Sequence, residues 1–190
     1  MQRAAADNRR MSFSSLSVFR SLLLLALLCT ACSPALNWRE TRLTNASLVA
    51  LLPCEPDHAT RNVPLGGVPT ELTMAGCDAA GATFAIMVAE VPAAQAGSLL
   101  AGWRTATLAN IHAQDIQTQA FLPRGVLAVP ESVRVTASGQ RSDGRPVAAQ
   151  AVWVARLVPG QSAAQLVHAV IYSERPMSDA AETFFGGIKL

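Results

Sequence analysis

The side chains best suited to acid–base or metal chemistry in this 190-residue chain are three histidines, His58, His112 and His168. A metal site needs His, Cys, Asp or Glu at short repeated spacing, and only His58 has acidic neighbours, Glu55 and Asp57. Prolines surround that segment, which predicts a solvated acidic loop. His112 is expected near a helix end, where its partial charge suits the helix dipole. His168 is expected inside a central strand, as a hydrogen-bonded core histidine.

Nucleophilic and nucleotide-binding motifs are not apparent either. Ser98 follows Gly97, but the second glycine of a nucleophile elbow and the preceding strand-to-helix turn are missing. The chain has no phosphate loop and no dinucleotide fingerprint. The tryptophans Trp38, Trp103 and Trp153 are far apart in a chain with only 5% aromatic residues, which argues against a sugar-binding stripe. The sequence therefore predicts a protein that is not an enzyme, with no catalytic, cofactor or metal residue.

The composition excludes two further classes of protein. The chain has 15 basic and 13 acidic residues, whereas a nucleic-acid-binding domain would carry a face rich in Lys and Arg. Hydrophobic residues make up 51% of the chain, which is too many for a disordered protein. The length fits one domain with a targeting segment.

Residues 1–31 have the pattern of an export signal. Four arginines precede the leucine-rich run at 22–28, and small residues precede Cys32. The apolar run is too short to span a bilayer. Met11 is an alternative start that gives a signal of more ordinary length. Without residues 1–31, which hold four Arg and one Asp, 11 basic and 12 acidic residues remain and the net charge becomes −1.

The end of this segment resembles a bacterial lipobox. Thr30, Ala31 and Cys32 match its pattern, and Cys29 stands where leucine is usual. The resemblance implies cleavage before Cys32, a lipid on its sulfur, and a tether over residues 32–37 that holds the protein at a membrane of the cell envelope. The alternative is ordinary cleavage after Ala31, which would give a soluble periplasmic or secreted protein.

Cysteine parity predicts a disulfide. The chain after residue 31 retains Cys32, Cys54 and Cys77, an odd number for an oxidising compartment. Lipidation of Cys32 leaves one pair, so we expect a Cys54–Cys77 bridge worth about 3 kcal/mol on the chain-entropy model. The alternative is two separate buried thiols.

Residues 38–190 are predicted to form a single α+β domain. Its central feature is a helix over about 93–113, whose core stripe contains Leu100 and Trp103. Gly66-Gly67 predicts a hairpin, and Asp179 has the spacing of a capping box for a short terminal helix. The other expectations cover strands, turns and one irregular segment: strands at 38–43, 48–52, 61–65, 70–75, 82–91, 132–138, 147–158 and 165–173, a loop at 56–58, a turn at 76–81 and an irregular segment at 114–131.

Several pieces of this pattern resemble PsbP-like domains. Leu48-Val49-Ala50-Leu51-Leu52-Pro53 is similar to their opening strand, and the order from Gly81 to the terminal Phe184-Phe185 helix fits theirs. The chain also resembles uncharacterised exported proteins of betaproteobacteria through residues 35–40 and 52–54. These resemblances imply a single antiparallel sheet covered by helices on both faces, a helix/sheet/helix sandwich, and they carry over no activity.

Two functions are consistent with this sequence. The first is a non-enzymatic envelope protein that acts through contacts with another, unidentified envelope protein. The alternative is a periplasmic protein that binds a small apolar ligand between the sheet and the long helix. Leu100, Trp103 and Trp153 would line its cavity. Neither function needs a cofactor or nucleic acid.

Overall fold

The computed structural model describes residues 35–43 and 48–190 of the chain. The predicted signal at 1–31, the lipidation site Cys32 and the first residues of the predicted tether lie outside the described residues. Ala35–Leu190 forms one compact unit.

Nine strands and two α-helices make up the described part of the chain. The strands are β1 (Arg39–Arg42), β2 (Val49–Leu52), β3 (Asp57–Leu65), β4 (Val68–Ala79), β5 (Ala82–Pro92), β6 (Gln114–Ala120), β7 (Val133–Gln140), β8 (Pro146–Leu157) and β9 (Ala163–Ser173). The helices are α1 (Ala96–Asn110), preceded by a 3₁₀ turn at Ala93–Gln95, and α2 (Ser178–Gly186).

The strands form two antiparallel sheets. β1 and β2 pair as a hairpin, and the other seven strands form one sheet in the order β3-β4-β5-β9-β8-β7-β6. The last strand of the chain, β9, lies between β5 and β8 at the centre. β8 and β9 are apolar on both faces because both faces of the sheet are covered there. The edge strands β3 and β6 are polar and largely exposed.

The two faces of the large sheet are covered by different elements. We call the side that packs against α1 the helix face; it includes Trp153 and Leu166, which cluster with Leu100 of α1. We call the other side the hairpin face. Its core includes Phe84, which meets Phe184 of α2 edge to face at 5.7 Å between ring centroids. Residues of the β1–β2 hairpin complete this second cluster.

The predicted helix/sheet/helix sandwich is wrong, because the domain is mostly sheet. One face carries a single long helix, while a β-hairpin and one short helix share the other. The apolar run at 48–52 forms a strand, as predicted, but it pairs with Arg39–Arg42 in a separate layer and does not join the main sheet. The main sheet also has more strand than the sequence indicated. The predicted turn at 76–81 belongs mostly to β4, the loop at 56–58 leads into β3, and the irregular segment at 114–131 begins with β6.

Some local predictions are confirmed and one is wrong. Gly66 and Gly67 form the β3–β4 turn with φ of 60° and 83°, a conformation that favours glycine. The stripe on α1 faces the core, with Leu100 fully buried. The capping-box prediction fails because α2 begins at Ser178, so Asp179 lies inside the helix and Met177 occupies the cap position.

The predicted disulfide is confirmed: Cys54 and Cys77 are bonded, with Cα atoms 6.0 Å apart. Cys54 follows β2, and Cys77 lies in β4 beside the core of the hairpin face. The bridge therefore fastens the segment between the two sheets to the face that the hairpin covers.

Candidate functional site

The predicted cavity residues meet in one cluster on the helix face. Leu100 and Trp103 come from α1 and Trp153 comes from β8, directly opposite His168 of β9. His168 lies between the two indoles: it stacks on Trp153 at 4.3 Å between ring centroids and meets Trp103 edge to face at 5.4 Å. Leu100, Trp153 and His168 are buried. Side chains thus fill the space between these residues, and a ligand cavity among them stays a prediction.

The environment of His168 keeps its ring neutral. Burial lowers the pKa of His168 to about 4, and the Val152 carbonyl, which accepts a hydrogen bond from Nδ1 at 3.1 Å, opposes that shift. Since a carbonyl can only accept, Nδ1 carries the proton. Nε1 of Trp153 is buried without a hydrogen-bond partner among the residues the structure describes. His168 therefore acts as a packing residue, as predicted.

The other two histidines lie in separate elements. His58 is the second residue of the edge strand β3 and is exposed, whereas a loop was predicted. His112 lies just beyond α1 with φ of 47°. Within residues 35–43 and 48–190, no group of three or more His, Cys, Asp or Glu side chains is placed to hold a metal ion.

A groove runs along the part of the hairpin face that α2 and the β1–β2 hairpin leave open. It consists of three neighbouring cavities of about 310, 340 and 390 Å³. The first and second share Thr136 of β7, and the second and third share Pro146 and Glu174. The middle cavity is lined mostly by small and apolar residues of β7 and β8, such as Ala148, with Ser138 among its few polar residues.

The end of the groove beside α2 contains a largely buried arginine side chain. Arg134 of β7 has a side chain only 12% exposed, and its Nη1 lies 2.6 Å from Oε1 of Glu182, whose side chain is 71% exposed. The guanidinium carbon lies 5.3 Å from the ring centre of Phe185, a cation–π contact. Gln150 of β8 is 3% exposed, and its Oε1 accepts a hydrogen bond from the backbone N–H of Met177 at 2.6 Å.

The opposite end of the groove lies among the hairpin turns. Arg145 pairs with Asp143 at 2.7 Å, and its hydrogen bonds hold the pKa of that carboxyl below its usual range. Thr83 donates to Asp78 at 2.6 Å across the start of β5. Glu174, just beyond β9, adds a further carboxylate to the lining. This end is exposed, so its ion pairs contribute little to stability.

Sequence reasoning missed the groove and the polar residues at its α2 end, Arg134 and Gln150. Two signals were present. Arg134, Thr136 and Ser138 alternate with apolar residues, which leaves one polar face on β7. Gln150 interrupts an otherwise apolar stretch of β8 with a residue that can both donate and accept hydrogen bonds.

In comparisons with known proteins, no protein-family model and no curated protein matches the chain. In the part of the chain that the structure describes, no helix is both long and apolar enough to cross a membrane.

Proposed function

We propose that this chain is an exported, lipid-anchored protein of the cell envelope that acts by binding and performs no chemistry. The groove on the hairpin face is its binding surface. One observation carries the proposal: apolar packing of α2 and the β1–β2 hairpin closes part of this face, while the part above β7 and β8 is an open groove that is polar at both ends. Bound partners and ligands use such concave surfaces with a few convergent polar groups.

The charges of the groove favour binding over catalysis. Arg134 already has a carboxylate partner in Glu182, and Arg145 has one in Asp143. A general acid or base needs a pKa near the working pH. Among the residues that the structure describes, no histidine or cysteine lines any of the three cavities of the groove. The protein partner that we propose is another envelope protein, as expected from the export signal.

The alternative function, binding of a small apolar ligand under α1, is favoured by one observation. The buried Nε1 of Trp153 has no partner among the described residues, so an entering acceptor could satisfy it. The close stack of Trp153 on His168 supports a packed layer instead. The groove therefore remains our first choice.

Lipidation of Cys32 is tested by mass. We expect the mature protein from membrane extracts to begin at Cys32 and to carry a diacylglyceryl-sized increase, because the lipobox pattern places that residue at the cleavage point. The Cys32→Ala variant, processed or unprocessed, should lack the increase. An unmodified, soluble chain that begins at Cys32 would disprove the lipid anchor and leave export standing.

The groove is tested by blocking it. Ser138 is exposed in the groove and Thr105 is exposed on α1, remote in sequence and on the element covering the opposite face. We expect Ser138→Trp to abolish complementation of a deletion strain, because its indole fills the channel, and Thr105→Trp to complement fully. Both variants must accumulate to normal levels.

Substitutions at the two exposed histidines should leave complementation unchanged, in contrast to Ser138→Trp. His58→Gln and His112→Gln should complement as the unchanged protein does, since neither residue lines the groove. If either variant accumulates normally but fails to complement, the enzyme or metal interpretation becomes the better one.

A further inference from the structure

The cavity beside α2 has unusual electrostatics for a surface depression. Its positive pole, Arg134, is almost entirely buried, while its negative pole, Glu182, is mostly exposed on the helix. The cation–π contact with Phe185 and the position on β7 fix the guanidinium, whereas the glutamate has solvent on most sides. An ion pair with one exposed partner contributes little, so the glutamate can move away from the arginine at small cost.

Gln150 is the second polar group that this cavity offers to a ligand. The residue is only 3% exposed, and it lines the cavity. The backbone N–H of Met177 donates to its Oε1, which fixes the amide and leaves Nε2 as the group that can donate to a ligand. A ligand oxygen beside Arg134 would accept that hydrogen bond.

We propose that this cavity binds a free α-amino acid as its zwitterion. Arg134 and Gln150 would hold the carboxylate, and Glu182 would hold the ammonium. The inference deepens the proposed function and rests on its groove, since it names the chemical class that one end of the groove accepts. The cavity of about 310 Å³ is large enough for one amino acid.

The charge balance selects a zwitterion over a simple anion. A simple anion that displaces Glu182 from Arg134 leaves two carboxylates side by side, which is unfavourable. A zwitterion pairs both poles at once. The two poles of the cavity already touch, with 2.6 Å between Nη1 and Oε1, and the two charged groups of an α-amino acid are attached to the same carbon. The remaining lining is uncharged and polar, with Gln117, Gln119, Thr136 and Ser178, which favours a polar side chain on the ligand.

Titration calorimetry of the full mature protein in detergent tests the proposal. L-glutamine is the probe, and three analogues change one feature each: N-acetyl-L-glutamine lacks the ammonium, L-glutaminamide lacks the carboxylate, and alanyl-glutamine separates the two charges. We expect each analogue to bind about tenfold more weakly than L-glutamine, the change expected from losing one charge-assisted contact. Equal binding of L-glutamine and the N-acetyl analogue would overturn the proposal, and so would no binding of L-glutamine at roughly 10 mM.

Variants assign the poles. Glu182→Gln should weaken L-glutamine about tenfold and should not weaken N-acetyl-L-glutamine, because only the first ligand has an ammonium to pair with Glu182 and the second is relieved of a neighbouring carboxylate. Asp179→Asn is the matched control, since it removes an exposed carboxylate from the same helix outside the cavity lining. Arg134→Gln should weaken the binding of both ligands. If Arg134→Gln fails to fold, the Glu182→Gln variant still tests the proposal. Identical effects of Glu182→Gln and Asp179→Asn would contradict the assignment. Complementation by Ser138→Trp tests the groove separately from calorimetry. If Ser138→Trp fails to complement but L-glutamine does not bind, the groove is functional and only the amino-acid proposal is wrong.

Discussion

Replacing His168 by glutamine should remove about 3 kcal/mol of pH dependence from the free energy of unfolding. In the folded protein burial lowers the pKa of His168 to about 4, whereas the unfolded chain binds this proton near the ordinary value of 6.5. The contribution of the neutral His168 ring to the free energy of unfolding is therefore fully present above pH 6.5. It is lost progressively as the pH falls from 6.5 to 4, and the loss levels off below 4.

Urea unfolding at pH 7, 6, 5 and 4 measures this difference. The unchanged protein and His168→Gln share every carboxylate, so subtracting their free energies isolates the imidazole. Glutamine can still donate to the Val152 carbonyl and differs little in volume from histidine. His112→Gln is the control, a histidine-to-glutamine substitution at an exposed position. Parallel curves for the unchanged protein and His168→Gln would contradict the prediction, because they would mean that folding does not lower the pKa of His168.

Removing the disulfide should lower the free energy of unfolding by about 3 kcal/mol, because the bridge closes a loop in the unfolded chain. Its two cysteines are separated by 23 positions in the sequence. The double variant Cys54→Ser with Cys77→Ser avoids a lone thiol, and its urea midpoint at neutral pH should match that of the unchanged protein under reducing conditions. The double variant itself should not respond to the reductant. A difference smaller than about 1 kcal/mol would contradict the prediction that loop closure by the bridge stabilises the domain.

Patterns that depend on neighbours in the sequence were predictable. The Gly66-Gly67 turn, the apolar strands β8 and β9 and the core stripe of α1 all follow from local periodicity or turn chemistry. The disulfide followed from parity once one cysteine was assigned to the lipid. These features needed no knowledge of which strands become neighbours.

The errors arise where strand neighbours decide the outcome. Gly76 looked like the start of a turn, but it lies within β4, where a side chain would meet the Phe84 carbonyl of the next strand at 2.9 Å. Glycine serves there for close approach of two strands, and the actual turn is only Ala80-Gly81. β6 is exposed on both sides at the sheet edge, so its sequence has no apolar alternation to reveal it.

The candidate site was hidden for a related reason. Arg134 and Gln150 lie on neighbouring strands, and Glu182 reaches them from a helix far along the chain. Single polar residues in a strand are common, and only the packing of α2 turns these into one cavity. The separate β1–β2 layer on the hairpin face could not be predicted either. The composition of the segment at 48–52 suits a strand of the main sheet equally well.

The position of β9 determines when this domain can fold. Without it, β3-β4-β5 and β6-β7-β8 are two separate three-stranded meanders, and neither has the central neighbour that joins them. During synthesis β9 is the last strand to emerge, and α2 follows it. Folding must therefore wait for nearly the whole chain, since pairing β5 with β9 closes a long loop. For the exported protein proposed above, that delay keeps the nascent chain unfolded until a translocation channel has engaged its first residues.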